Sequence, residues 1–370
     1  MADPLLATPT GKPRARALGI PFDGEPGPWN AITDVPGIGV GYATLIRGEG
    51  ELVPGSGPVR TGVTAILPRP APRILTPVFA GFHSANGNGE MTGTHMIEEV
   101  GAFALPVTIT NTHACGIARD ATVDWINRVQ PGALDDAWGL PVAAETYDGF
   151  LNDINGRHVT AGHVAAAIDA AVAGPIDEGS VGGGAGMICF GFKGGSGAAS
   201  RRIAHEAGPF MLGAFVQANF GKRRNLTVRG RRLGAGSAAP AAVERTPKRD
   251  KSSIIAVIAT DAPLLPHQLK RLARRAPLGV ALTGGYAYHA SGDIFLAFST
   301  ANDAALSVET RAIGAAAFLP DASLDPFFDA VVQTIEEAIL NALVANEDMT
   351  GRDGNFVPAL PRDQLAAVFR

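Results

Sequence analysis

The chain comprises 370 residues (38.1 kDa), of which 46% are hydrophobic and 18% charged, with a net charge of −4. This composition can bury a large core and excludes an intrinsically disordered chain, and the 46 glycines and 27 prolines exceed ordinary usage without reaching low complexity. Two cysteines, Cys115 and Cys189, exclude a disulfide framework, and no apolar run approaches the roughly 20 residues of a membrane helix. The N-terminal segment has no apolar stretch behind its basic residues, so the expected compartment is the cytoplasm.

In chain order, residues 19–67 read as turns and short buried strands punctuated by glycine. Thr76 to Phe82 and Ala104 to Thr110 predict further strands, each running into a polar stretch (SANGNGEMTGTH and NTHACG), and catalytic groups often sit at such strand ends. An Ala-rich pattern predicts a helix over His163 to Val172. The glycine-dense region from Gly179 to Arg202 predicts close-packed strands and bulges where side chains would not fit. After a predicted strand at Phe210 to Ala218, periodicity stops, and residues 230–252 read as an exposed linker. From Lys222 to Lys251 there are ten Lys or Arg against two acids.

The β-branched run SIIAVIAT then predicts a buried strand. DAPLLPHQLKRLARRAPLG predicts one helix with Leu265, Leu269, Leu272 and Ala273 on a single face. A Gly-Tyr loop, the strand GDIFLAFST and a long helix follow. That helix opens at Asp325-Pro326 and repeats Phe328, Val332, Ile335, Ile339 and Leu343 on one face. The order lacks the regular βαβ repeat of a doubly wound sheet, so mixed sheets with helices outside are expected.

Common signatures are incomplete. GNGEMTG from Gly87 places its last glycine one residue too late for a dinucleotide loop, and Asp250 stands where a Walker loop before Lys251-Ser252 requires glycine. The histidines offer no metal-ligand spacing, no GxSxG elbow is present, and His267 reads as a capping or packing residue. The informative feature is the junction at Ser252-Ser253, where an unpatterned charged segment passes directly into a buried strand. A cut there would give Ser253 both a hydroxyl nucleophile and a free α-amine. An α-amine with a pKa near 8 accepts a proton near neutral pH, whereas an unperturbed lysine near 10.4 does not. From spacing alone, the better reading of Ser253 is a residue that merely opens a strand.

Seven blocks, RARALGIPFDGEPGPWNAITDVPGIGVGYATL, NGNGEMTGTHMIEE, AAETYDGFLNDING, GMICFGFKGGSGAASR, VQANFG, SIIAVIATDAPLLPHQLKRLARRAPLG and SGDIFLAFSTAN, occur in the order of one family. Through them the chain resembles the DmpA and β-peptidyl aminopeptidase (BapA) family of self-processing serine aminopeptidases over nearly its whole length. The resemblance implies a four-layer αββα sandwich like that of N-terminal-nucleophile hydrolases, with different connectivity. It also implies one domain, 1–370, made of an α-fragment 1–252 and a β-fragment 253–370 that begins at the nucleophile.

Carried over by motif, Ser253 is the nucleophile, and Ser252-Ser253 is the bond cut, although the family usually has Gly or Asn where this chain has Ser252. Ser291 and Asp293 in SGDIF would orient the hydroxyl and amine of Ser253, and Asn219 in QANFG would stabilise the oxyanion. Glu145 would hold the substrate's amino group. Tyr147 beside it would assist at the substrate and oxyanion, and looks more like the DmpA branch, which takes L-aminoacyl amides and D-alanine esters. Taken singly, Glu145 reads as a surface carboxylate, Asn219 as a turn residue and Ser291 as a strand cap.

The expected substrate is a small peptide or aminoacyl amide. No metal, organic cofactor, nucleic acid or membrane partner is expected. The basic run lacks interleaved aromatics and reads as the tail of the α-fragment, and the family implies a homo-oligomer of αβ units. Two alternatives are an acyltransferase of the ornithine-acetyltransferase type, which uses threonine, and an unprocessed non-enzymatic homologue.

Overall fold

The computed structural model describes residues 3–236, 239, 241–242, 252–305 and 313–369. Its strands are β1 (Gly39–Arg47), β2 (Val59–Leu67), β3 (Val78–Gly87), β4 (Ala102–Phe103), β5 (Val107–Asn111), β6 (Ala143–Thr146), β7 (Ile188–Cys189), β8 (Phe192–Lys193), β9 (Gly195–Ile203), β10 (Phe210–Asn219), β11 (Thr227–Val228), β12 (Arg231–Arg232), β13 (Ser252–Thr260) and β14 (Ser291–Ser299). The helices used below are α1 (Thr94–Val100), α2 (Cys115–Val129), α3 (Ala161–Asp169), α4 (Pro266–Ala273), α5 (Ala276–Leu282) and α6 (Asp325–Val344).

Four strands form one sheet in the order β1-β2-β5-β6, and six form a second in the order β4-β3-β14-β13-β10-β9. Both sheets are mixed: β5 runs parallel to β6 and β13 parallel to β14, and the other pairs are antiparallel. Helices α2 and α3 cover the four-stranded sheet, α4 and α6 cover the six-stranded one, and α5 packs on α6. The result is the expected αββα layering. Alternation along β13 shows why its run is continuously apolar. Ile254, Ala256 and Ile258 enter the core under the helices, whereas Ile255, Val257 and Ala259 enter the core between the sheets. Each of these isoleucines is fully buried and contributes roughly 1.5–3 kcal/mol relative to exposure. Glycine serves packing where α6 crosses β9: a Cβ on Gly197 would lie 2.1 Å from the Ala338 carbonyl oxygen.

Several expectations need correction. The segment predicted as one helix after β13 divides into α4 and α5, the latter carrying Pro277 near its start. The first turns of α6 bury Phe327 and Val331 rather than Phe328 and Val332, and Phe328 instead lies under the Arg275 guanidinium, 3.9 Å from the ring centroid. From Thr334 onward the helix is buried on all sides, so the predicted Ile335, Ile339 and Leu343 are core residues. Helix α2 escaped the sequence reading because its buried stripe is made mostly of small residues, Cys115, Ala118, Ala121 and Thr122, before Trp125 and Ile126. The Asn111 side chain starts the turn into it by accepting from the His113 and Ala114 N–H groups, each at 3.0 Å.

Of the segment read as a linker, residues 237–238, 240 and 243–251 lie outside the described residues. Its beginning is not a linker, because Arg231–Arg232 pairs with Thr227–Val228 as a hairpin. The neighbouring basic side chains are used internally. Lys222 lies over the Tyr288 ring, Arg223 over Phe192 and Arg231 over Phe369, while Arg229 pairs with Asp23 and Glu336. His267 is exposed at the start of α4 and faces Asp321 at 3.9 Å.

Candidate active site

Ser253 is the second residue of β13, 4% exposed, at the end of the central strand pair. In register it stands between Asn219, the last residue of β10, and Gly292 of β14. By alternation it shares the face of Ile255 and Val257, which looks into the space between the sheets. Asn219 shares that side with Gln217 and Phe215. Gln217 Nε2 bridges to the other sheet, donating to the Thr110 carbonyl at 3.0 Å and to Thr146 Oγ1 at 2.7 Å.

Ser291 is opposite Ser252, and its Oγ donates to Asp293 Oδ1 at 2.6 Å. Both share the face of Phe295, which belongs to the core under the helices. The pair therefore meets the first residues of β13 from the side opposite the Ser253 hydroxyl, beside the backbone of Ser252 to Ile254. Burial pushes the Asp293 carboxyl above its ordinary range, against the opposing Ser291 hydroxyl and Ile254 N–H.

Asn219 is held at both ends of its amide. Oδ1 accepts from the Ile188 N–H at 2.9 Å, and Nδ2 donates to the Tyr147 carbonyl at 3.0 Å. One Nδ2–H is thereby used and one is left to donate. Asn219 is thus a strand-end residue with an oriented amide and not a turn residue. The Tyr147 main-chain carbonyl thus fixes one end of the Asn219 amide. The ring folds back over Gly149, where a Cβ would come within 2.5 Å of the phenol oxygen.

Glu145, in register with Thr110 of β5, is 4% exposed and therefore not a surface carboxylate. Its Oε1 accepts from the Glu90 N–H at 3.0 Å, and its Oε2 accepts from the Thr112 hydroxyl. Burial raises its pKa, and those two bonds oppose the rise. Gly89 lies between this carboxylate and Gly292, the register partner of Ser253. A Cβ on Gly89 would sit 3.2 Å from both Glu145 Oε1 and Gly292 Cα. The loop that imitates a phosphate motif in sequence therefore wraps Glu145.

Ser253, Asn219 and Glu145 converge between the sheets, with Ser291 and Asp293 on the other side of the same strand ends. Missed by sequence reasoning are Thr112, the Glu90 and Ile188 N–H groups and Gln217. Their only signals were the polar strand ends and the QANFG block. Among the described residues, no group of three or more His, Cys, Asp or Glu could hold a metal ion, and both cysteines are free and buried.

A buried serine near the start of a central strand of a ββ sandwich, with an oriented amide beside it and a buried carboxylate from the facing sheet nearby, fits a hydrolase of the N-terminal-nucleophile kind. The profile of peptidase family S58 matches residues 30–357, and the chain belongs to that family. It is 50% identical to the β-peptidyl aminopeptidase BapA of Sphingosinicella microcystinivorans, across 97% of this chain and 92% of that one. Among solved structures, it resembles the L-aminopeptidase D-Ala-esterase/amidase of Ochrobactrum anthropi, described as a variant of the Ntn-hydrolase fold. There the TM-score is 0.89 and the identity 48%, over 97% of this chain and 98% of that one. A β-aminopeptidase from Burkholderia sp. aligns with TM-score 0.87 and 44% identity, over 96% and 98% of the two chains.

Proposed function

We propose that the chain is a precursor that cuts itself between Ser252 and Ser253 and then acts as a serine aminopeptidase on small peptides or aminoacyl amides. The observation that carries this reading is the register at the start of β13, with Ser253 between Asn219 and Gly292 and Ser252 opposite Ser291. In self-cleavage, Ser253 Oγ attacks the Ser252 carbonyl, the C–N bond breaks to leave an ester on Oγ and a free Ser253 α-amine, and water hydrolyses that ester to release the Ser252 carboxylate and restore the Ser253 hydroxyl. In turnover, the amine takes the hydroxyl proton as Oγ attacks the substrate carbonyl. The free Nδ2–H of Asn219 donates to the oxyanion, and the proton passes to the leaving amine as the acyl-enzyme forms. Water then releases the acid.

Ser291 and Asp293, beside the Ser252 to Ile254 backbone, orient the amine, and Glu145 binds the substrate's ammonium. Tyr147 favours ordinary L-aminoacyl amides. Membership of a peptidase family supports hydrolysis over acyl transfer.

The two fragments, 1–252 and 253–370, share one core, since β13 and β14 are flanked by β10 and β3 in a single sheet. Homo-oligomers of such αβ units are expected. Two free, buried cysteines fit a reducing cytoplasm, and among the described residues no helix is long and apolar enough to cross a membrane. Denaturing electrophoresis with N-terminal sequencing tests the cut, which must give a small fragment beginning Ser-Ile-Ile. A panel of L-, D- and β-aminoacyl nitroanilides tests the substrate class. A single uncut chain without activity would overturn the reading.

A further inference from the structure

The Lys193 side chain is fully buried in the β7–β8 hairpin, and no ion pair to it is formed among the described residues. Its Nζ donates to two carbonyl oxygens, Met187 at 2.9 Å and Gly194 at 2.7 Å. Burying a lysine without a carboxylate partner is costly, and here burial lowers its pKa to about 7. The neutral amine still carries N–H groups for both bonds, so the contacts do not depend on its charge.

The carbonyl of Met187 and the N–H of Ile188 belong to one peptide unit. That unit is planar and trans, so its C=O and N–H point in opposite directions. Lys193 on the carbonyl side, helped by the Gly194 N–H at 2.9 Å, aims the Ile188 N–H at Asn219 Oδ1, 2.9 Å away. That bond decides which end of the Asn219 amide is which. With Oδ1 committed to Ile188 and one Nδ2–H to Tyr147, the remaining donor has a fixed direction. A flipped amide would instead present a carbonyl oxygen to the developing oxyanion and repel it.

We infer that Lys193 is a positioning residue for the oxyanion site, acting through the Met187–Ile188 peptide to hold the Asn219 amide with its N–H toward the substrate. This rests on the reading of Asn219 as the oxyanion donor.

The test is a double-mutant cycle of Lys193→Met and Asn219→Ala, read as kcat, KM, the rate of self-cleavage, melting temperature and affinity for an aminoalkyl boronic acid that forms a tetrahedral adduct on serine. Lys193→Met is expected to lower kcat and self-cleavage by about 10- to 100-fold, part of the roughly 10²- to 10³-fold effect of removing an oxyanion donor. KM should stay within about twofold and boronate affinity should fall by the same factor as kcat, because both losses arise only in the tetrahedral state. In the Asn219→Ala background, Lys193→Met should have no further effect. Lys193→Gln, which keeps an N–H donor, should recover part of the rate.

Additive losses, or a lowered melting temperature with wild-type kcat, would overturn the inference. Loss of the fold in both Lys193→Met and Lys193→Gln would make Lys193 a folding residue and also overturn it. If Asn219→Ala alone leaves kcat unchanged, it is the parent reading of Asn219 that fails.

Discussion

Glu145→Gln separates self-cleavage from aminopeptidase activity. The substitution is nearly isosteric and can keep both hydrogen bonds, its carbonyl oxygen accepting from the Glu90 N–H and its amide N–H meeting the Thr112 hydroxyl. What it removes is a negative charge in a site 4% exposed, whose two hydrogen-bond donors are neutral. The charge is matched when a substrate ammonium enters. Removing one partner of a desolvated, hydrogen-bonded charge pair costs about 2–5 kcal/mol, which is about 30- to 4000-fold in kcat/KM at 1.4 kcal/mol per tenfold. Self-cleavage involves no free amino group at the scissile residue, so its rate should remain near wild type.

The measurement compares kcat/KM for an aminoacyl nitroanilide and its des-amino analogue, together with the rate of fragment formation. Wild type should prefer the free amine strongly, and Glu145→Gln should lose that preference. Burial raises the Glu145 pKa, so the carboxylate is present only above that raised value. Wild-type kcat/KM should therefore fall, on going acid, at a pH above the ordinary carboxylate range, and the variant should lack this limb. A variant that keeps wild-type selectivity for the amine, or that stays folded but no longer cuts itself, would refute the reasoning.

Ser253→Ala should accumulate as a single folded, inactive chain of 370 residues, seen as one band under denaturing conditions and a near-native melting curve. Glu337 is fully buried between Arg201 (2.7 Å) and Arg16 (2.6 Å), so Glu337→Gln should cost about 3–5 kcal/mol in urea unfolding, as breaking a buried ion pair does. Burial alone would raise the Glu337 pKa, but Arg201 and Arg16 hold it below the ordinary 4.5. Its contribution is therefore fully present above pH 4.5 and lost as pH falls through the depressed value, a loss that Glu337→Gln should not show. Gly197→Ala places a methyl 2.1 Å from the Ala338 carbonyl, so it should lower stability by about 1–3 kcal/mol or more, read as a reduced melting temperature.

Local chemistry was legible where a residue's neighbours in sequence are also its neighbours in space. The apolar run after Ser253 announced β13, and SGDIF announced the start of β14 with its Ser291–Asp293 bond. The Asp325-Pro326 pair announced the start of α6, but the face that its first turns bury was misjudged by one residue. That face depends on where the helix lies on β9 and β10. Helix α2 was illegible because a stripe of alanine, cysteine and threonine carries little hydrophobic contrast, and only close packing against β5 and β6 makes it a core face.

The site divides in the same way. The sequence alone determined the residue types and the order of their motifs, and through its resemblance to one family it pointed to Ser253 as the serine whose release would create nucleophile and base together. The tertiary structure decided that Glu145, from β6, lies across Gly89 from the neighbour of Ser253, and that Asn219 is clamped between Ile188 and Tyr147. It also separated the Ser253 hydroxyl from the Ser291–Asp293 pair by placing them on opposite faces of the sheet. The physical reason is that a strand's sequence states which residues alternate, whereas only its register and the layer packed on each face state what those residues meet.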